Sequence, residues 1–276
     1  MTDRMTWKTG ASTCFSQSLT EVDMKAYADA AIDWVELSFS ADEYIHQLDF
    51  LNRAETIAEM AGRHGLTLWS IHLPFSKHID ISAMSDADRA SAVRLDLDIL
   101  EAAAWAGIQV AVVHPSSEPI EVSERADRLK NSRQSLLTLA ERAQKLNLRL
   151  AVEDLPRTCL GNCSDEIELL LRDNPGLSVC YDTNHLLFQD NVAFIKAIGC
   201  RIITLHVSDY DFIDERHLLP GEGKNDWAAI VDALEHVDYS GPWMYEVGSR
   251  GKYTLKDLQA NRRRFVDENR KAAGTR

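Results

Sequence analysis

The sequence predicts an α/β chain folded as a single (β/α)8 TIM barrel, and three observations carry that expectation. Eight short β-branched or apolar runs alternate with eight longer stretches of helical periodicity. The length, 276 residues, suits one closed barrel of roughly 250 residues. Most of the runs end on a side chain able to bind a metal or move a proton, as strands converging on one mouth would.

In order, the runs are a weak one at Thr9–Phe15, then Trp34–Leu37, Leu66–His72, Gln109–His114, Leu148–Glu153, Leu177–Asp182, Arg201–His206 and Trp243–Glu246. Helical patterns fall at Glu21–Ala31, Asn52–Arg63, Asp86–Ala106, Ser123–Leu146, Asp165–Arg172, Val192–Ile198, Trp227–His236 and Thr254–Lys271. Several of them open on Ser, Asp or Thr, whose side chains cap the free amides of a first turn. A doubly wound open sheet alternates in the same way, but it seldom needs eight units and usually carries a glycine-rich first turn, which this chain lacks. No low-complexity tract or Pro/Gly/Ser-rich linker divides the sequence, so one domain over residues 1–276 is expected. The tryptophans Trp34, Trp69, Trp105, Trp227 and Trp243 fall within elements and read as core.

Composition narrows the partners. At 45% hydrophobic the chain is too apolar for disorder, and no run approaches the ~18 apolar residues of a membrane span. Met1–Gly10 lacks the charged-then-apolar order of a secretory signal, and the five cysteines are odd in number and scattered. Reduced thiols in a cytoplasm are therefore expected. The 43 acidic and 30 basic side chains leave a net charge of −13, which counts against a long nucleic-acid partner, since phosphate backbones are bound by Lys and Arg.

The strong runs end on His72, His114, Glu153, Asp182, His206 and Glu246. Counting back by twos from the last four reaches Ala151, Cys180, Thr204 and Met244, side chains suited to a filled barrel interior. Three carboxylates and one imidazole, Glu153, Asp182, His206 and Glu246, form a donor set for one divalent ion, Mn²⁺ first, with Mg²⁺, Co²⁺, Fe²⁺ or Zn²⁺ also suited. His185, three residues past Asp182, reads as a contact to a substrate oxygen or to a second ion. His72 and His114 each precede a proline turn and read either as structural, as substrate contacts or as ligands of a second metal. The stretch Glu215–Gly223 packs charge beside a Pro-Gly turn and reads as a binding loop, with Arg216 or His217 holding a hydroxyl, carboxylate or phosphate. Cys159 and Cys163 have no second cysteine pair and give no zinc site; neither a P-loop nor a nucleophile elbow is present.

The ordered set Leu150-Ala151-Val152-Glu153, Tyr181-Asp182-Thr183-Asn184-His185, Leu205-His206-Val207-Ser208-Asp209, Leu219-Pro220-Gly221-Glu222-Gly223 with Asp226-Trp227, and Tyr245-Glu246-Val247 resembles the xylose-isomerase-like TIM-barrel superfamily, in its sugar phosphate isomerase/epimerase branch. The resemblance covers nearly the whole chain. It implies that Glu153, Asp182, His206 and Glu246 hold one divalent metal, that Glu153 and Glu246 exchange the substrate proton, and that His185 touches substrate. It also makes a homo-oligomer plausible. Ketose 3-epimerases carry an arginine where His217 stands, whereas Glu215-Arg216-His217 resembles the Asp-Arg-His loop of endonuclease IV-type AP endonucleases.

The expected function is a metal-dependent isomerase or epimerase acting on a sugar or a sugar-derived keto compound, by proton transfer through an enediolate that the ion stabilises. The alternatives are a sugar lyase, dehydratase or deglycosidase on the same site, an AP endonuclease-like hydrolase, and a non-catalytic sugar-binding barrel. The expected partner is a small carbohydrate, with its size and phosphorylation set by loops around Phe75, Arg157, Tyr210 and Arg216; no nucleic acid and no membrane are expected.

Overall fold

Successive side chains of a strand point to opposite faces, so one apolar run can serve two cores. In the computed structural model, which describes residues 7–15, 19–38, 44–248 and 251–268, seven of the eight predicted runs do this, the weak first one excepted. The elements are β1 (Thr9–Ser12), α1 (Glu21–Asp29), β2 (Trp34–Leu37), α2 (Tyr44–Arg63), β3 (Thr67–His72), α3 (Asp86–Trp105), β4 (Val110–Val113), α4 (Arg125–Lys145), β5 (Arg149–Glu153), α5 (Ser164–Leu171), β6 (Leu177–Asp182), α6 (Asn191–Ile198), β7 (Ile202–His206), α7 (Trp227–His236), β8 (Trp243–Tyr245) and α8 (Leu255–Arg262).

The strands form one parallel sheet in the order β7-β6-β5-β4-β3-β2-β1-β8. Just past β7, the amide of Val207 donates to Met244 O at 2.8 Å and the amide of Glu246 donates to Val207 O at 3.1 Å, which brings the two edges together into a nearly closed barrel. The outward parity, including Ala111, Val113, Leu150, Val152, Val179, Tyr181, Leu205, Trp243 and Tyr245, packs against the helices. The inward parity, Val110, Val112, Ala151, Cys180 and Met244 with Trp69, fills the interior. Thr204 joins this inner layer, fully buried and accepting from Trp69 Nε1 at 3.2 Å. The four interior positions counted back from the strand ends therefore lie where the alternation put them. With the interior plugged, chemistry is confined to the mouth.

Two irregularities re-aim side chains near that mouth. Val35 pairs with Leu68 but Glu36 pairs with Ser70, and Val179 pairs with Ile202 but Cys180 pairs with Thr204, so Trp69 and Ile203 are extra residues. A bulge of this kind reverses the facing of everything beyond it.

Helix starts follow the capping logic. Thr20 and Asp23 form a capping box on α1, as Thr254 and Asp257 do on α8, and Ser85, Asp190 and Asp226 accept first-turn amides of α3, α6 and α7. Three details depart from expectation. α2 begins at Tyr44, because a second helical segment runs into the expected one across non-helical dihedrals at Arg53. α8 ends at Arg262 and passes into a π-helical turn, Arg263–Asp267; the rest of the predicted helix, from residue 269, lies outside the described residues. Trp105 is 63% exposed rather than core, since it sits two positions past Ala103 and so on the opposite face of α3. All five cysteines are free. Among the described residues no helix is long and apolar enough to cross a membrane.

Candidate active site at the barrel mouth

β3, β5, β6 and β7 end on His72, Glu153, Asp182 and His206, and His114 and Glu246 directly follow β4 and β8. Glu153 is the hub of the group. Its Oε2 lies 3.1 Å from His72 Nε2 and 3.3 Å from His114 Nε2, and its Oε1 lies 3.0 Å from His206 Nδ1. Glu246 Oε2 approaches the same His206 Nδ1 at 3.3 Å and Asp182 Oδ2 stands 3.9 Å from it. Donor atoms of Glu153, Asp182, His206 and Glu246 all lie within 4.8 Å of one another.

Burial and the neighbouring charges together decide the charge of each carboxylate. Removing Glu153 from water opposes its ionisation, but the imidazoles of His206 and His114 outweigh this and hold the carboxyl well below the usual range. Burial likewise opposes ionisation of Glu246, and His206 and His217 hold it below the ordinary value. Asp182 goes the other way: burial, then the charges of Glu246 and Glu153, push it well above the ordinary value. Its Oδ2 is fully buried and accepts no hydrogen bond. An unpartnered carboxylate oxygen among two ionised carboxylates and an imidazole calls for a cation, and the oxygen-rich donor set suits a divalent one. The residues present therefore fit the ion that their spacing in the sequence suggested.

The histidines are oriented for this. Nδ1 of His72 donates to Leu73 O, Nδ1 of His185 to Asp154 O, both at 2.8 Å, and Nδ1 of His217 to Glu246 O at 3.2 Å. Carbonyl oxygens only accept, so Nδ1 of each ring carries a proton, and Nε2 of His72 and of His185 faces the carboxylates of the site. His185 Nε2 lies 3.4 Å from Glu215 Oε2 and 3.6 Å from Asp182 Oδ2. His185, Glu215 and His217 form a further donor group, as do His72, His114 and Glu153.

These side chains surround a cavity of about 150 Å³, with Asp182 and His206 outside its lining. Phe75 stacks on His114 with ring centroids 3.7 Å apart and, with Leu155 and Pro156, gives the cavity an apolar wall. Arg157, also in the lining, binds Glu118 and, at 2.6 Å, Asp214, and reaches Glu215 at 3.2 Å, tying three loops together. Arg157 and His217 both hold left-handed backbones, φ 50° and 48°. Such conformations cost about 1–3 kcal/mol each and persist where the surroundings enforce them. At His217 the enforcement comes from Gly248 N, which donates to His217 O at 3.0 Å, and from Asn184 Oδ1, which accepts from Arg216 N at 2.9 Å. Farther along this loop, Asp209 accepts from Gly221 N, Asn225 N and Trp227 Nε1 at 2.8–3.1 Å. A Cβ on Gly223 would stand 2.4 Å from Tyr210 O, so only glycine fits there.

The structure thus brings Glu153, Asp182, His206, Glu246, His72, His114, His185 and His217 together. Arg216 is kept out: its guanidinium pairs with Asp211 at 2.8 Å on the surface and is absent from the cavity lining. Tyr210 is fully buried, its hydroxyl donating to Leu186 O, and serves the loop rather than the cavity. The Cys159 thiol lines the cavity but burial pushes it up to about 12, so it is not nucleophilic. Glu36 and Asp154 escaped the sequence reading, which placed Glu215 in a binding loop but gave the contacts there to Arg216 or His217. For Glu36 a signal existed, a single acid inside the otherwise apolar run Trp34-Val35-Glu36-Leu37.

The class is thus a parallel eight-stranded barrel whose strand ends gather carboxylates and imidazoles that could hold a metal ion. The sequence profile of the xylose isomerase-like TIM barrel family matches residues 24–268, and the chain belongs to that family. An uncharacterised protein of Methanocaldococcus jannaschii is 27% identical over 180 residues, 62% of this chain and 61% of its own length. One of Sinorhizobium fredii is 29% identical over 118 residues, 40% of this chain and 37% of its own. The chain thus spans less than two thirds of either relative. Among solved structures, a D-tagatose 3-epimerase-like protein superposes with a TM-score of 0.81 at 21% identity, covering 97% of this chain and 98% of its own. An L-ribulose 3-epimerase does so with 0.79 at 19% identity, covering 98% of each chain. At such identities the likeness is one of fold.

Proposed function

We propose that this protein is a divalent-metal-dependent isomerase or epimerase of a sugar or a sugar-derived keto compound. The observation that carries the reading is the convergence of Glu153, Asp182, His206 and Glu246 donor atoms within 4.8 Å beside the cavity. The fold likeness to proteins named as sugar 3-epimerases supports it.

Those four residues would hold the ion, Mn²⁺ first, with Mg²⁺, Co²⁺, Fe²⁺ or Zn²⁺ as alternatives. When bound, the ion supplies Lewis-acid polarisation of a carbonyl, which acidifies the neighbouring C–H. The remaining chemistry belongs to the chain. Glu153 and Glu246 are held ionised, line the cavity and come from different sides of the mouth, so one takes the proton beside the carbonyl and the other returns it. His72, His114, His185 and His217 hold substrate oxygens. Phe75, Leu155 and Pro156 exclude water along one wall. General-base action contributes about 10²–10⁴-fold, so both the base and the ion are needed for ordinary enzymatic rates.

The test is incubation of the Mn²⁺-loaded protein in D₂O with a panel of ketoses, inososes and keto acids. Deuterium at a carbon beside the carbonyl is the expected result, lost in Glu153→Gln and Glu246→Gln; no incorporation from any substrate refutes the reading. NMR of the products separates stereochemical change from loss of a group, the outcome for a lyase, dehydratase or deglycosidase.

A second reading has its own observation. The three donor groups His72-His114-Glu153, Glu153-Asp182-His206-Glu246 and His185-Glu215-His217 offer places for several ions, an arrangement suited to phosphodiester hydrolysis. The net charge of −13 disfavours DNA as its substrate. Elemental analysis giving three ions per chain, with nicking of an abasic duplex, would favour that reading over the first.

A further inference from the structure

The His206 nitrogen turned away from the other donors meets a carboxylate, whereas His72, His185 and His217 use backbone carbonyls. Glu36 on β2, fully buried, reaches across the barrel so that its Oε1 and Oε2 lie 3.0 and 3.1 Å from His206 Nε2. Ser70 Oγ donates to Glu36 Oε2 at 2.7 Å. The bulge in β2/β3 makes this contact possible, since it sets Glu36 opposite Ser70 rather than Trp69. Glu36 does not line the cavity and belongs to none of the donor groups, so it meets neither substrate nor ion.

We propose that Glu36 is a positioning residue: by accepting the Nε2–H of His206 it would leave the Nδ1 lone pair for an ion held among the oxygens of Glu153, Asp182 and Glu246, with Ser70 holding Glu36 in place. The inference rests on the metal-dependent reading above and adds a requirement to it. A neutral imidazole has one N–H and one lone pair, so fixing the proton at Nε2 fixes the ligand atom at Nδ1. A charged acceptor does this more strongly than a carbonyl and makes the ring a better donor.

The experiment measures Mn²⁺ affinity of the full chain by calorimetry for wild type, Glu36→Gln and Ser70→Ala. Histidine ¹H–¹⁵N correlation spectra of the Zn²⁺-loaded proteins, assigned with His206→Gln, accompany it. Wild type is expected to show His206 protonated at Nε2. Glu36→Gln is expected to bind Mn²⁺ about 10- to 100-fold more weakly, with the Nε2–H signal moved or lost. Ser70→Ala removes only a hydroxyl, keeps the fold testable if Glu36→Gln fails to fold, and is expected to weaken binding several-fold. Wild-type affinity in the variants, or a wild-type His206 protonated at Nδ1, overturns the proposal. Absence of Mn²⁺ binding by wild type overturns the metal reading itself, and is seen before any variant is compared.

Discussion

Nδ1 of His206 stands 3.0 Å from Oε1 of Glu153, and both side chains are closed off from water. The other Glu153 oxygen faces His72 and His114, so one negative charge serves three imidazoles. Glu246 meets His206 as well, but its side chain keeps 14% of its surface exposed. The two glutamates are therefore separable by stability, although the proposed function gives both a role in turnover. Glu153→Gln is expected to cost about 3–5 kcal/mol in urea unfolding of the metal-free protein, the loss that follows removal of one partner from a buried charge network. Glu246→Gln is expected to cost about 1 kcal/mol. Both should lower turnover by about 10²-fold or more.

Asp182 holds a carboxylate that the metal-free fold disfavours in its ionised form. Burial and two neighbouring carboxylates oppose its ionisation, and its Oδ2 has no hydrogen-bond donor. Asp182→Asn is therefore expected to raise the melting temperature of the chelator-treated protein while weakening its response to Mn²⁺. Wild type at 100 times Kd should gain about 2.7 kcal/mol from the ion. The variant should gain less than half of that at the same concentration, in scanning calorimetry with and without Mn²⁺. Equal gains in both proteins would remove Asp182 from the donor set.

The barrel was legible because strand and helix periods differ and a parallel barrel repeats the contrast eight times. The strand-end residues were legible for the same reason, since topology alone carries Glu153, Asp182 and His206 to one rim. Glu36 was marked only as a lone acid in an apolar run; that it meets His206 was not legible, because the contact spans the barrel from β2 to β7, and the β3 bulge that brings Ser70 to it is a register fact. Nor was the fate of Arg216: whether a loop arginine faces a cavity or pairs with Asp211 depends on the left-handed backbone at His217, the very next residue. Trp105 misled because residue type was read without its position around the helix.

Arg157 joins three loops that shape the outer cavity, through Glu118, Asp214 and Glu215, and Glu215 in turn faces His185. The guanidinium is partly exposed, so its ion pairs contribute little to overall stability. Their effect is on geometry. Arg157→Met is expected to change folding stability by under ~1 kcal/mol and to raise KM about ten-fold or more, because a misplacement near 1 Å at a positioning group costs up to about 10²-fold. Steady-state kinetics beside urea titration checks this, and an unchanged KM would show that the loops hold without the latch.

Asp96 lies on the buried stripe of α3 with Ala92, Ile99, Leu100 and Ala103, and its Oδ1 has no hydrogen-bond partner. Burial pushes its carboxyl well above the ordinary aspartate value, with His72 acting in the opposite direction. The native state thus keeps a proton that the unfolded chain releases once the pH exceeds about 4. Stability from this group is complete below that pH and falls as pH rises toward the folded-state value. Asp96→Asn, a neutral side chain of the same shape, removes that slope. In chelator-containing buffer the variant is expected to match wild type near pH 4 and to melt higher at pH 8, each kcal/mol appearing as about 2–4 °C. A melting difference that stays constant between the two pH values would mean that water reaches Asp96 and leaves it ionised in the folded protein.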